Sequence, residues 1–425
     1  MSRIHLVLTF ASLMSFGYVL VAQKDPKVAE DVIHRPTPIP DRIILTWAGD
    51  PTSSQAVTWR TDSTVAKPVA EIAEAGDGPD FIKKAVTHKA ASESFQSDLN
   101  TAQYHSVRFT GLKPATMYAY RVGDGYNWSE WNQFRTAEPG PTPVEFLYVG
   151  DAQNDIYQLW SRLIRQGYSE APKVRFIVHA GDLVNRASRD AEWGEWHAAA
   201  GWINRSVVAM PTPGNHEYGS KQLTTHWRPQ FTLPENGVKG LEETNYYVDI
   251  QGIRMIALNS NRMQKEQAAW LDQLLTNNPN RWTVLTFHHP VYSAARSRDN
   301  KEIRETWQPI IDKHRVDIVL TGHDHTYARS NLRTGMNTQE GTAGTVYVVS
   351  VSGPKMYNLD RADWMQRAAE DTQLCQIIRI NGDTLQYEAR TARGILYDSF
   401  DLKKQDGRPN QLVNKVPQTS EYRRK

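Results

Sequence analysis

The chain has 425 residues, with Lys+Arg 49 against Asp+Glu 47 and a formal net charge of +2. Near-neutrality excludes a broad nucleic-acid footprint, so any polyanion must be bound locally. Trp 13 and Tyr 18 exclude a disordered chain, and the length has room for two or three domains.

Arg3 followed by LVLTFASLMSFGYVLVA has the pattern of a secretory signal, residues 1–22, with cleavage after Ala22. A retained N-terminal anchor is the alternative reading. No later apolar run reaches the roughly 18 residues that a membrane span needs, so after signal removal the chain is expected secreted or periplasmic. The single Cys375, in the strand-like LCQIIRI, permits no internal disulfide and reads as a buried thiol. Residues 23–40 carry Pro26, Pro36, Pro38 and Pro40 and read as an extended lead-in.

From 41 to 138 the texture is β. IILTWAGD, QAVTWRT, HSVRFTGL, MYAYRVGDG and NQFRTA alternate apolar and polar residues between turns, the pattern of a small all-β sandwich with Trp47 and Trp59 in its core. The run Pro139-Gly140-Pro141-Thr142-Pro143 is a stiff linker. From 144 to 403 strands alternate with helical patterns such as IYQLWSRLIRQGY and KEIRETWQPIIDKH, which predicts an α/β domain. Three hairpins are expected, at YYVDIQGIRMIALNS, TVYVVSVSG and QIIRINGDTLQYEA. Trp193, Trp196 and Trp202 are spaced to pack a core, and residues 404–425, charged and polar, read as a loose tail.

Five apolar runs end in metal-binding side chains: VEFLYVGDAQN, VRFIVHAGDLVN, SVVAMPTPGNHE, WTVLTFHHP and VDIVLTGHDH. They supply Asp151, Asp182, Asn215, His216, His288, His323 and His325. Carboxylate, amide and imidazole donors together suit two adjacent divalent or trivalent cations. In an open α/β sheet the carboxyl ends of strands are where ligands bind, and the glycines before Asp151 and Asp182 allow a sharp turn there. His179, inside its strand, reads as packed. His105, His197, His226 and His314 lack partners at ligand spacing.

These motifs resemble the calcineurin-like metallophosphoesterases. With the stretch GLKPATMYAYRVGDG…WSEWNQFRTA, which looks like a fibronectin type III domain, the resemblance is closest to purple acid phosphatases and covers residues 40–400. It implies a multidomain fold, an N-terminal fibronectin III-like sandwich followed by an αββα sandwich with mixed sheets. It also implies that Asp182 bridges two metals, that Asp151 and His325 hold the first, and that Asn215, His288 and His323 hold the second. His288 is preferred to His289 because the family ligand stands two residues before the proline, here Pro290. His216 is then the histidine that faces the scissile ester, substrate-binding and, with the bridging Asp182, catalytic.

Three departures from the family pattern follow. The tyrosine that binds ferric iron and gives the colour is replaced by Asn185, and the alternative histidine of other members by Gln153. Gln153 is the preferred substitute ligand and Asn185 the lesser one; either way a phenolate is lost, and a colourless protein is expected. The loop VYSAARSRDNKE lacks the family's substrate-facing histidine, leaving Arg296 and Arg298 as candidate phosphate binders. The implied activity is hydrolysis of a small phosphomonoester with two ions among Fe, Mn and Zn. Phosphodiester or nucleotide hydrolysis on the same site is the first alternative, and a non-catalytic binding protein with a vestigial metal domain the second.

Overall fold

The computed structural model describes residues 27–219, 221–335 and 343–424; the signal-like segment 1–22 lies outside them. Among the described residues no helix is long and apolar enough to cross a membrane. The lead-in is not extended throughout. Glu30–Ile33 forms one helical turn, with Glu30 and Asp31 at its positive end and Glu30 paired to Arg189.

Alternating residues between Asp41 and Arg135 build two four-stranded antiparallel sheets. One has the order Asp41–Thr46, Ser54–Thr61, Thr101–Thr110, Ala91–Gln96; the other has Val86–Lys89, Val69–Glu74, Met117–Gly123, Asn132–Arg135. Val57, Trp59, Ile72, Val107, Phe109 and Tyr120 are buried in the core this creates. Trp47 instead reaches the next domain and packs on Phe176, with ring centres 5.3 Å apart. Beside it the buried Arg42 forks onto Asp190 at 2.6 and 2.8 Å, which fixes the sandwich to the helix Asp190–Ala200.

Two mixed seven-stranded sheets form the α/β part. The first runs Val208–Thr212, Phe176–Ala180, Val144–Val149, Leu374–Asn381, Thr384–Thr391, Leu396–Gln405, Arg408–Asn414. The second runs Tyr246–Ile250, Ile253–Ala257, Trp282–Thr286, Ile318–Thr321, Thr345–Val349, Tyr327–Arg333, Met365–Ala369. The sheets face each other, and Tyr148 Oη and Tyr246 Oη of opposite sheets donate across the layer to Thr321 and Pro211 carbonyls. Helices Ser161–Glu170 and Asp190–Ala200 flank the first sheet; Gln264–Thr276 and Lys301–His314 flank the second.

Parallel pairing puts the functional ends in register. His179 lies opposite Val149 and Pro211, and Thr286 lies opposite Leu320, so all five motif-bearing strands finish at one edge. Further expectations fail. TVYVVSVSG is not a hairpin, because Thr345–Val349 is a single strand held between Ile318–Thr321 and Tyr327–Arg333. Residues 404–425 are not a loose tail: Arg408–Asn414 pairs with Leu396–Gln405 as the edge strand, and its polar side chains are those an edge exposes to water. Trp193 and Trp196 are buried, but Trp202 is 56% exposed, edge-on to Tyr168.

Candidate metal centre

Each strand end turns sharply, and the strain is visible in the backbone. Asp151, Asp182, His323 and His325 all have positive φ, of 52, 50, 76 and 49°. Such conformations cost of order 1–3 kcal/mol each and cluster at sites where function holds them. The glycines act differently from one another. Gly181 has φ 81°, and a Cβ there would meet His288 Nδ1 at 2.6 Å. Gly150 has no positive φ; its role is close approach, since a Cβ would meet the Ser350 carbonyl oxygen at 2.9 Å.

The side chains gather into two adjoining groups. The donor atoms of Asp151, Asp182 and His325 lie within 4.8 Å of one another, as do those of His288, His289 and His323. Asp182 belongs to both, because its Oδ2 is 3.2 Å from His288 Nε2. Asn215 Oδ1 is 3.0 Å from the same nitrogen, and His323 Nδ1 is 3.1 Å from it. His289 stands beside these three, with its Nδ1 on Ser260 Oγ at 2.8 Å. His323 N–H caps Asp151, donating to both carboxylate oxygens at 3.0 and 2.8 Å.

Main-chain carbonyls set the tautomers. His288 Nδ1 is 3.0 Å from Ala180 O, and His325 Nδ1 is 2.9 Å from Lys355 O. A carbonyl only accepts, so both Nδ1 atoms carry a proton and both Nε2 atoms face the carboxylates. Imidazole nitrogens and carboxylate oxygens so crowded fit cations, which would displace the proton that His288 Nε2 holds against Asp182. Gln153 fits the same demand. Its Nε2 reaches Asp182 Oδ2 at 3.2 Å and His325 Nε2 at 2.8 Å, while its buried Oε1 has no partner. Such an orphaned oxygen costs about 1–3 kcal/mol, which turning toward a cation relieves.

Burial and charge pull the carboxylates apart. Burial, with the Asp182 charge added, raises Asp151 well above the usual range. Burial would raise Asp182 too, but the His288 charge and hydrogen bond outweigh it and hold that carboxyl low. His288 answers in kind: burial lowers it, Asp182 dominates, and the ring is raised to about 9. Burial, then the Lys355 charge, lowers His325 to about 3.

His216 projects from Gly214-Asn215-His216-Glu217 with its side chain 25% exposed and Nε2 3.9 Å from Asp182 Oδ2. Its N–H donates to Asp182 Oδ1 at 2.9 Å. Asn185 contributes its carbonyl to His216 and its N–H to Glu192. Arg298 is spoken for by the protein: Nη1 donates to His323 O at 2.8 Å and the guanidinium lies over Tyr357 at 4.7 Å. Arg296 is exposed, and it is held by its main-chain N–H on Asn358 O.

Glu217 is a positioning group that spacing alone did not reveal. Fully buried, its carboxylate accepts from the N–H of Asp182, Leu183, Val184 and Gly214 at 2.9, 2.9, 3.3 and 2.7 Å. Burial, reinforced by Asp182, pushes its carboxyl up to about 8. The signal was present, an acid closing the Gly-Asn-His-Glu run, but three of its four partners belong to another strand end. His179 is indeed packed, between Trp160 and Trp196. His105 is bonded to Thr61 and Ser92, and His197 to Gln230.

Residues 40–136 match the family described as Purple acid Phosphatase, N-terminal domain, and residues 144–327 match Calcineurin-like phosphoesterase. Purple acid phosphatase 21 of Arabidopsis thaliana is 25% identical over 335 residues, covering 75% of this chain and 72% of its own length. Purple acid phosphatase 15 of the same plant is 28% identical over 285 residues, 59% of this chain and 53% of its own. The solved purple acid phosphatase PPD1 of yellow lupin (Lupinus luteus) shares the fold, with TM-score 0.74 at 19% identity over 86% of this chain and 74% of that one.

Proposed function

We propose that this chain, which belongs to the calcineurin-like metallophosphoesterases in the two-domain arrangement of purple acid phosphatases, hydrolyses small phosphomonoesters outside the cytoplasm. Membership makes it a metal-dependent phosphoric ester hydrolase; the monoester, the compartment and the residue roles are our reading. The compartment rests on the signal-like run ending at Ala22. One observation supports the site most strongly. Two carbonyls accept from Nδ1 of His288 and His325 and turn both Nε2 atoms onto a pair of buried carboxylates.

In this reading Asp182 serves both ions. Asp151, His325 and the Gln153 amide oxygen hold the first, and Asn215, His288 and His323 the second. The bound pair, drawn from Fe, Mn and Zn, supplies an acidified water and positive charge for the phosphate oxygens. His216 does the proton work. Its Nδ1 is anchored on Asn185 O, so Nε2 is the atom that delivers a proton to the departing alkoxide. Glu217 keeps the Asp182 and Gly214 turns at a fixed separation. Arg298 braces the His323 turn through its Nη1.

The test is a comparison of kcat/KM for a phosphomonoester and a phosphodiester with a common leaving group. The reading expects the monoester to be preferred; a diester preference would transfer the same site to the nucleotide or diester class. Catalysis of neither, with metals bound, would leave the sandwich as the functional part.

A further inference from the structure

The His325 side of the centre is held from behind by a part of the chain that carries no metal-binding motif. The segment Pro354–Asn358 does the direct holding: Lys355 O accepts from His325 Nδ1, Tyr357 N–H donates to His325 O at 3.1 Å, and the Tyr357 ring lies 4.6 Å from the imidazole. The same segment grips the loop of Arg296 and Arg298, through Arg296 N–H on Asn358 O at 2.9 Å and Asp360 N–H on Ala294 O at 2.8 Å.

Behind that segment runs a strap, residues 417–424. Tyr422 stacks on Tyr397 at 4.7 Å and its carbonyl accepts from Glu370 N–H at 3.0 Å. Glu421 accepts the Ala368 N–H at 2.9 Å. Arg424 then forks in two directions. Nε and Nη2 bind the Asp371 carboxylate at 2.8 and 2.6 Å, while Nη1 reaches Asn358 Oδ1 at 2.8 Å and Nη2 the Met356 carbonyl at 3.5 Å. Glu370 closes the frame, accepting Leu359 N–H at 2.7 Å on one oxygen and Arg424 N–H at 2.8 Å on the other.

We infer that the strap, through Arg424, is a positioning element that sets the Met356–Asn358 main chain and hence the orientation of His325. The inference rests on the proposed role of His325 in the first metal site. Groups behind a metal-binding histidine typically account for about 10–100-fold in metal affinity. Arg424 has the planar fork needed to tie a carboxylate, an amide and a carbonyl at once, which lysine lacks.

The experiment uses the full chain with Arg424→Ala, Arg424→Lys and the double variant Tyr422→Ala/Arg424→Ala. Hydrogen exchange at the Tyr357 amide, measured on metal-free protein, is expected to quicken about tenfold or more in the alanine variants. Zinc or manganese affinity, from competition with a chelator, is expected to fall about tenfold for one of two ions, with excess metal restoring turnover. Arg424→Lys is expected to fall between the alanine variant and the parent. Unchanged Tyr357 exchange and unchanged metal affinity would overturn the inference. So would a lower melting temperature with both readouts intact, which marks a merely structural strap. If the parent chain holds no metal, the reading of the site fails instead, and the metal-free exchange still decides the strap.

Discussion

The Nδ1 of His216 lies 2.5 Å from the main-chain oxygen of Asn185, across 31 residues of sequence. Because that oxygen only accepts, one proton sits on Nδ1, and Nε2 is left to face the crevice, where a second proton must be carried for transfer to the leaving oxygen. The relationship links the one position where the family's tyrosine is missing to the group assigned as acid. His216→Ala is expected to keep its metals and lose about 10²–10⁴-fold in kcat. Turnover and metal content measured side by side check this, and full turnover would remove His216 from the mechanism.

Glu217 accepts four main-chain N–H groups from two different strand ends. Glu217→Gln keeps the shape but turns donors against donors at one oxygen position. Loss of about 3 kcal/mol in stability is expected, with weaker metal retention, from the unsatisfied buried amides. Urea unfolding of the metal-free protein above pH 8, where the Glu217 carboxyl is ionised, isolates the first effect. A parental midpoint there would show that the carboxylate is dispensable.

With Asn185 and Gln153 at the first-metal positions, no phenolate is supplied by the motif residues. Iron-loaded protein is therefore expected to lack a phenolate charge-transfer band in the visible spectrum. One phenol to check is Tyr357, whose ring lies tilted against His325 with centres 4.6 Å apart. A visible band abolished by Tyr357→Phe would show that another tyrosine had replaced the missing one.

His179 is buried between two tryptophans, its Nε2 has no partner, and burial lowers its pKa to about 3 from 6.5. Between those values the unfolded chain binds a proton that the native ring refuses. Stability is thus fully present above pH 6.5 and is lost as pH falls toward 3, amounting to about 2 kcal/mol by pH 5. His179→Leu is expected to flatten the pH dependence of the unfolding free energy by that amount between pH 7 and 5. An unaltered slope would mean that the ring is already protonated in the native state.

Strand ends were legible because burial makes strands apolar and leaves polar residues to mark where they stop, as at Asp151, Asp182 and His323. Side-chain direction was not. The family resemblance separated His288 from His289, yet the fold brings both beside His323, and the bond to Ser260 shows how His289 is engaged. Arg298 looked available in a charged loop, whereas the fold commits it to His323 O. Residues 408–414 looked like tail because an edge strand exposes one side to water and needs no apolar pattern. The roles of Glu217, Glu370 and Arg424 depend on main-chain N–H and C=O groups distant in sequence, which no motif encodes.

The central claim is that the strand-end cluster is a two-ion centre that performs ester hydrolysis. Metal content per chain, measured with monoester turnover before chelation, after it and after metal return, tests it most directly. The account predicts two ions per chain, turnover abolished by the chelator, and recovery when the ions are restored. A chain that binds no metal, or one whose turnover survives complete metal removal, would contradict it.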